Sequence, residues 1–288
     1  MGDRAAFHTR TRIGFPNAKV NVGLQVRNRR PDGFHAIESL FVPIPWCDTL
    51  ELEVLEDEGP CEIEAHGLPI PGNPDDNLII KAHALLARDY NVPSVRFHLI
   101  KAIPMGAGLG GGSADGVMAL QLLNAQCGLG LSDAALEIMA AQLGSDCPFF
   151  IRNTFSHVSG RGEVIHPISI DLNGWWIAIL HPGIHVSTAK AFSWVTPSDE
   201  RPGLSTWSGS GPEEWAGKLT NDFTAPVIEH HPEVGLALSM LRNLGATHAD
   251  MSGSGSAVFG FFRSDPGIDL QSACPAEWHC WSGRIDNP

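Results

Sequence analysis

The chain is poor in positive charge. Its 19 lysines and arginines stand against 32 aspartates and glutamates, which leaves a formal net charge of −13 at pH 7. A nucleic-acid surface needs clustered basic side chains to offset phosphate charge. The sequence therefore predicts no nucleic-acid partner, and a phosphorylated ligand would have to be held by local Lys, Arg and backbone N–H groups.

Long apolar runs are missing as well. No run approaches the ~18 residues that a membrane helix needs, and Met1–Arg12 lacks the apolar core of a signal peptide. These absences predict a cytoplasmic protein without a membrane partner, and we expect its polar start to be frayed. They do not determine the oligomeric state, for which a monomer or a weak dimer is the expectation.

Metal and disulfide patterns are absent too. The six cysteines form no Cys-x-x-Cys pair, and the 13 histidines show no spacing typical of a metal site. We expect reduced thiols and no metal site built from protein ligands alone. At 288 residues with 43% hydrophobic content, the chain is long enough for two domains or one large one and can bury a substantial core.

Residues 104–116 are rich in glycine. This stretch reads Pro-Met-Gly-Ala-Gly-Leu-Gly-Gly-Gly-Ser-Ala-Asp-Gly and lies between an apolar segment and a helix-like run. Glycine lets the backbone adopt positive φ angles and approach a ligand closely. Free N–H groups and the positive dipole end of the following helix favour an anion there. The stretch therefore predicts an anion site, with phosphate as the commonest ligand.

Other glycine loops do not fit this stretch. A Walker A loop requires a lysine after its glycines, and none follows here. The dinucleotide fingerprint fits only loosely, because the acidic residue about 20 positions on, Asp133, follows a helix instead of a strand. A flexible linker is disfavoured, since linkers lack the abrupt passage into an apolar-faced helix.

The motif resembles the phosphate loop of the GHMP small-molecule kinases. The resemblance implies an α+β, two-domain GHMP kinase fold. Residues 1–168 would form an N-terminal ATP-binding domain of the ribosomal protein S5 domain 2 type with a left-handed βαβ unit, and residues 169–288 a ferredoxin-like C-terminal domain. The residues expected to bind ATP are Pro104, Met105, Gly106, Ala107, Gly108, Leu109, Gly110, Gly111, Gly112 and Ser113. Mg²⁺ is expected as a cofactor that offsets phosphate charge, with Ser113 as a candidate ligand.

Phosphoryl transfer also needs a group that accepts the acceptor hydroxyl's proton and a cation near the transferring phosphate. Asp146, on a turn after a helix, is the best candidate base, and Lys19, on an alternating strand, is the best fixed cation. An ordinary helix-end aspartate and a solvated lysine are the plain alternatives. The resemblance implies that the two residues pair, so that Lys19 keeps Asp146 ionised.

A second glycine cluster, residues 253–256, precedes an apolar strand. One interpretation is a simple turn. The cluster also resembles a GHMP kinase loop that closes over the substrate and phosphate site. That resemblance implies substrate-binding roles for Gly253, Ser254 and Gly255.

Further stretches are similar to the GHMP kinases that phosphorylate 4-diphosphocytidyl-2-C-methyl-D-erythritol in the non-mevalonate isoprenoid pathway. They are Ala18–Asn21, Arg30–His35, Gly144–Phe150, His181–Gly183 and Asn221–Asp222. This similarity implies that the cytosine of the substrate stacks near Phe34 and Phe192. It also implies that His35 hydrogen-bonds the edge of the base and that Asn21 contacts the methylerythritol. For either phenylalanine alone, core packing is the alternative.

Phe34 and Gly116 depart from the usual residues of the family. Phe34 stands where many members have Tyr, which removes a phenol hydrogen bond and keeps the stacking surface. Gly116 stands where Ala is usual, which predicts that the helix after the glycine loop is less stable by up to about 1 kcal/mol.

Two alternative functions stay open. One is another GHMP kinase, acting on homoserine or a mevalonate-type alcohol. The other is a catalytically silent GHMP-fold protein that regulates a partner.

The rest of the pattern predicts ordinary elements. Asn77 and Ser132 are expected to cap helices, and residues 155–168 to form a hairpin. A further helix is expected over Pro232–Leu244. The Ser-, Gly- and Pro-rich residues 197–212 are expected to be the least ordered interior stretch.

Overall fold

The computed structural model describes residues 11–266 and 270–285. The strands are β1 (Thr11–Gly14), β2 (Asn17–Arg29), β3 (His35–Cys47), β4 (Thr49–Val54), β5 (Glu62–Gly67), β6 (Val95–Lys101), β7 (Ser156–Gly160), β8 (Val164–Pro167), β9 (Trp176–His181), β10 (His248–Met251), β11 (Val258–Phe262) and β12 (His279–Arg284). The helices are α1 (Leu78–Ala87), α2 (Gly111–Gln126), α3 (Asp133–Leu143), α4 (Phe149–Arg152), α5 (Thr188–Trp194), α6 (Pro212–Trp215), α7 (Thr224–His230), α8 (Pro232–Asn243) and α9 (Leu270–Ala273), with 3-10 turns at Pro74–Asp76 and Leu204–Trp207.

The chain divides into two compact units. The first contains the described residues up to 17 together with 47–103 and 111–152. The second contains 18–46, 104–110 and the described residues from 153 onward. The boundary between residues 168 and 169 that the sequence suggests stays a prediction.

The first unit is built on a sheet with strand order β1-β4-β6-β5. β5 and β6 run parallel and are joined through α1, which makes a βαβ unit, whereas the other neighbours are antiparallel. Burial alternates along β6, with Val95, Phe97 and Leu99 completely buried. Helices α1, α2 and α3 pack on one another, and α2 also packs on β4. This packing holds α2 in place.

The second unit contains two sheets, with strand orders β2-β3-β7-β8 and β10-β11-β9-β12. The pairs β3–β7 and β7–β8 are antiparallel, as are all three pairs of the other sheet. β9 and β11 are central strands, and their apolar residues 177–180 and 258–262 are buried. Helices α7 and α8 contribute Val227, Val234 and Leu238 to the same hydrophobic core. Strands buried on both faces are expected to read as continuous apolar runs, as these do.

Most predicted elements are present. Asn77 and Ser132 cap α1 and α3 with side-chain hydrogen bonds to Ile79 N and Ala135 N. β7 and β8 form the predicted hairpin, and α8 occupies the predicted range to within one residue. The prediction of a frayed N-terminus is wrong for Thr11 and Arg12, which belong to β1. Residues 1–10, to which the same prediction applies, lie outside the described residues. Strands β5, β10 and β12 have no counterpart in the sequence-based prediction.

Residues 197–212 make specific polar contacts with other parts of the second unit, and their low order stays a prediction. The Arg201 guanidinium donates two hydrogen bonds to the Asp222 carboxylate, at 2.6 and 2.5 Å. The Leu204 backbone N–H donates to Glu38 Oε2 on β3 at 2.7 Å. Bidentate arginine–carboxylate pairs restrict geometry strongly, so this polar stretch is held onto the sheet without a local hydrophobic pattern.

Within the described ranges, no helix is long and apolar enough to cross a membrane.

Candidate active site

The polar pair on β2 is buried. Lys19 is 3% exposed and Asn21 is 2% exposed, so Lys19 is not a solvated surface lysine. The Lys19 ammonium donates to Asn21 Oδ1 at 2.5 Å and lies 4.5 Å from the centre of the Phe41 ring. A buried ammonium is stable only when its donors meet acceptors or an aromatic face. The i, i+2 spacing on the strand places the two side chains on one face and brings them together.

Asn21 is fixed by a second set of contacts. Its Nδ2 donates to Ser39 Oγ at 3.0 Å, and Ser39 Oγ donates to the Gly23 carbonyl at 2.7 Å. Its backbone N–H donates to Ser252 Oγ at 3.1 Å. These bonds assign the amide orientation of Asn21, with Oδ1 facing Lys19. Sequence reasoning proposed Asn21 and missed Ser39 and Ser252.

The first glycine loop, residues 104–110, lies against β2 in the second unit. The Lys19 backbone N–H donates to the Leu109 carbonyl at 2.9 Å, and Ser252 Oγ donates to the Gly108 carbonyl at 2.8 Å. Gly108 has φ +81°, and a Cβ there would lie 2.1 Å from the Ser252 carbonyl oxygen. Only glycine fits such a close backbone approach. This loop and the second glycine loop, residues 252–256, therefore touch.

The second glycine loop is held from both ends. The Ser252 N–H donates to the Ala257 carbonyl at 2.9 Å, and the Ala257 N–H donates to the Ala107 carbonyl at 3.1 Å. Ser254 Oγ lies 3.0 Å from Thr188 Oγ1, at the start of α5. A turn that only preceded β11 would need none of these contacts. The second glycine loop is therefore hydrogen-bonded to the first glycine loop and to β2.

In the first unit, α2 begins at Gly111. Gly111, Gly112 and Ser113 thus form its first turn, where backbone N–H groups have no partner within the helix. A Cβ on Gly111 would lie 3.0 Å from the Lys101 ammonium. This arrangement suits an anion such as a nucleotide phosphate.

Asp146 lies in the first unit, in the turn between α3 and α4. The Cys147 N–H donates to the Gly144 carbonyl at 3.2 Å, which closes the turn around Asp146. The neighbouring Cys147 is completely buried. Burial raises the pKa of the Cys147 thiol to about 11, and its hydrogen bond with Ser113 acts in the opposite direction. Asp146 is half-buried. The Cys147–Ser113 hydrogen bond joins its turn to the first turn of α2.

The aromatic residues expected to bind a base are in the second unit. His35 and Phe192 stack in parallel, with ring centres 5.0 Å apart and planes 9° from each other. Phe192 meets Phe223 edge-on at 4.9 Å. Phe34 is 56% exposed, and the Arg161 guanidinium lies 5.1 Å from its ring centre. The core-packing alternative for Phe34 is therefore wrong, whereas Phe192 is partly buried against the core.

Among residues 11–266 and 270–285, no cluster of three or more His, Cys, Asp or Glu could hold a metal ion. Mg²⁺ in kinases is bound largely by substrate phosphates, water and one or two protein oxygens. The oxygen donors of the first turn of α2, such as the Ser113 hydroxyl, are compatible with that mode.

Two family models match the chain. The GHMP kinase N-terminal domain model covers residues 77–153, and the GHMP kinase C-terminal model covers residues 208–280. These ranges include α2, the Asp146 turn and the second glycine loop. They confirm the two-domain GHMP kinase fold, whose members use ATP as the phosphate donor.

The chain is also similar to individual kinases of known name and to solved kinase structures. The 4-diphosphocytidyl-2-C-methyl-D-erythritol kinase of Bacteroides thetaiotaomicron is 40% identical over 95% of this chain and 100% of the relative. A crystal structure of 4-(cytidine 5'-diphospho)-2C-methyl-D-erythritol kinase is 30% identical, with a TM-score of 0.81 over 96% of this chain and all of that chain. The mevalonate kinase of Methanococcus jannaschii, 12% identical with a TM-score of 0.71 over 97% of this chain and all of its own, shares the fold alone.

The fold, the two glycine loops and the full-length similarity agree, and the chain belongs to the 4-diphosphocytidyl-2-C-methyl-D-erythritol kinase family of GHMP kinases.

Proposed function

We propose that this chain transfers the γ-phosphoryl group of ATP to the 2-hydroxyl of 4-diphosphocytidyl-2-C-methyl-D-erythritol, a step of the non-mevalonate isoprenoid precursor pathway. The observation that carries the proposal is 40% identity with a kinase of that name over its whole length. The buried Lys19–Asn21 pair beside two touching glycine loops supports it, because phosphoryl transfer depends on positioning and fixed charge.

In this proposal Asp146 accepts the proton of the substrate hydroxyl as the oxygen attacks the γ-phosphorus. The new oxygen–phosphorus bond forms while the bond to the β-phosphate oxygen breaks, and ADP leaves. Lys19 assists by offsetting developing negative charge. The pairing of Lys19 with Asp146 rests on the family resemblance. Residues 106–113 hold the nucleotide phosphates, and Mg²⁺ would offset their charge, with the Ser113 hydroxyl as its candidate protein ligand.

The substrate would be recognised at both ends. Asn21, its amide held by Lys19 and Ser39, presents a fixed polar group to the methylerythritol. The cytosine would stack near Phe34 and Phe192, and His35 would hydrogen-bond its edge. The residues 253–255 would close over the substrate. A nearly parallel His35–Phe192 stack supports this interpretation, because it combines a flat surface with polar ring atoms.

The test is turnover with defined alcohols. We would measure ATP consumption with Mg²⁺ and offer the cytidyl-diphosphate alcohol, homoserine or mevalonate. We expect turnover with the cytidyl compound alone. We also expect Asp146→Asn to lower kcat by about 100-fold or more, as loss of a general base does, and Lys19→Met to lower kcat strongly.

Asp89→Asn is the matched control, because Asp89 is an exposed aspartate of the same unit. It should retain wild-type turnover. Turnover with homoserine or mevalonate would overturn the substrate, and full activity of Asp146→Asn would overturn the base. ATP binding without turnover on any alcohol would favour a regulatory protein instead.

A further inference from the structure

Asn221 lies beside the second glycine loop, and its buried side-chain amide makes hydrogen bonds through both its nitrogen and its oxygen. It is 3% exposed. Its Nδ2 donates to the Met251 carbonyl at 2.8 Å and to the Gly253 carbonyl at 2.7 Å. Its Oδ1 accepts the Phe223 N–H at 2.9 Å. Both amide hydrogens and the amide oxygen are thus committed, and two of these bonds hold loop carbonyls.

The same residue is tied to β2 through its backbone neighbours. The Leu24 N–H donates to the Thr220 carbonyl at 3.1 Å, and the Asp222 N–H donates to the Leu24 carbonyl at 2.9 Å. The Asn221 N–H itself donates to Asp250 Oδ2 at 2.7 Å. Residues 220–222 therefore lie as a bridge between the strand that carries Lys19 and Asn21 and the start of the second glycine loop.

The loop that Asn221 holds makes contacts that tolerate little movement. Ser252 Oγ accepts the Asn21 N–H and donates to the Gly108 carbonyl. A Cβ on Gly253 would lie 3.2 Å from the Gly108 Cα and 3.4 Å from Asn21 Oδ1. A shift of about 1 Å in the backbone of residues 251–253 would therefore break both Ser252 bonds, and misplacement of that size is enough to slow catalysis.

We propose that Asn221 is a positioning residue for phosphoryl transfer: by holding the Met251 and Gly253 carbonyls, it keeps Ser252 between Asn21 and the first glycine loop. The inference rests on the proposed function and adds a residue whose side-chain amide is hydrogen-bonded to protein backbone groups. Its physical basis is that buried carbonyls without donors are costly, so the loop backbone would rearrange if the amide were removed.

The test uses Asn221→Asp, which keeps the shape and the Oδ1 acceptor but places carboxylate oxygen against two carbonyls. Asn124→Asp is the matched control, because Asn124 Nδ2 also donates to a backbone carbonyl, that of Leu131, in the other unit. We expect Asn221→Asp to lower kcat/KM for the alcohol by about 10- to 100-fold. Asn124→Asp should change it less than threefold or so.

Two further measurements separate positioning from plain destabilisation. Ser252→Ala combined with Asn221→Asp should lose about as much activity as the worse single variant, since both act on one loop, whereas independent effects would multiply. Hydrogen exchange of residues 251–257 should be faster in Asn221→Asp, and also in Asn221→Ser, which serves if the aspartate variant does not fold. Exchange needs no turnover.

Unchanged exchange and unchanged kcat/KM in both Asn221 variants would overturn the inference. Multiplicative losses in the double variant would also overturn it. Inactive wild-type protein with every alcohol would contradict the proposed function instead, and the exchange result would still decide whether Asn221 holds the loop.

Discussion

At the scale of single residues, Lys101 is the second buried lysine, and the reason for its burial differs from that of Lys19. Its ammonium is bound by the Asp48 carboxylate and lies 2.8 Å from Asp115 Oδ2, while Asp48 Oδ1 accepts the Ala102 and Ile103 N–H groups. Burial raises the pKa of Asp115 well above its usual range, and the Lys101 charge opposes that rise. This cluster joins the end of β6 to the first turns of α2 and so stabilises this part of the first unit.

Removing the lysine charge should destabilise the first unit. Lys101→Met leaves two buried carboxylates without their cation, and we expect the free energy of unfolding to fall by about 3–5 kcal/mol. Urea unfolding measures this change. Adding Asp115→Asn should recover part of the loss, because one uncompensated charge is then gone. An unchanged unfolding midpoint for Lys101→Met would contradict this account of the cluster.

At the scale of secondary-structure elements, the contact between α1 and α2 explains a glycine that the sequence left as an unfavourable departure. A Cβ on Gly116 would lie 2.7 Å from Leu78 Cβ and 3.2 Å from the Leu78 carbonyl oxygen. The two helices approach so closely that no side chain fits there. Gly116 therefore permits the packing that holds α2 and does not merely loosen its first turns.

Gly116→Ala should consequently lower stability. Ala favours a helix by up to about 1 kcal/mol over Gly, but overpacking a fitted contact costs about 1–3 kcal/mol. We expect a net loss in the free energy of unfolding, measured by urea denaturation. The control is Gly59→Ala, because a Cβ at Gly59 would meet no atom within 4 Å. A more stable Gly116→Ala protein would show that helix propensity outweighs the contact.

At the scale of the whole molecule, two buried histidines make stability depend on pH. Burial, with a further effect of His279, lowers the pKa of His181 to about 4. Burial, with a further effect of Arg242, lowers the pKa of His248 to about 4. Both side chains are neutral in the folded protein near neutral pH. The unfolded chain, whose histidines titrate near 6.5, takes up protons first as the pH falls.

His248 offers a direct test of this linkage. Because its folded pKa is below its unfolded pKa, the stability that it contributes is lost as the pH falls from about 6.5 to about 4, by up to about 1.4 kcal/mol per pH unit. His248→Phe, placed among Trp215, Phe259 and Phe261, should flatten this slope in urea unfolding between pH 7 and pH 5. His66→Gln, at an exposed position, should leave the slope unchanged. Parallel slopes for wild type and His248→Phe would contradict the assignment.

The sequence by itself determined the local features of the site. Glycines that need positive φ, the strand spacing that puts Lys19 beside Asn21, and the caps at Asn77 and Ser132 all depend on neighbours within a few residues. Such features can be predicted because short-range geometry and propensity decide them. The family followed from these motifs in their order along the chain.

Only the tertiary structure decided which distant groups complete the site. Ser252 meets Asn21 across 231 positions, Lys101 meets Asp48 across 53, and Asn221 meets the Gly253 carbonyl across 32. No local sequence pattern identifies these partners, because the residues around a serine, an aspartate or an asparagine do not indicate whether it lies at the surface or in a buried hydrogen-bond network. What distinguishes them is the requirement that every buried polar group find a partner, and that requirement is met only when the folded chain brings the partners together.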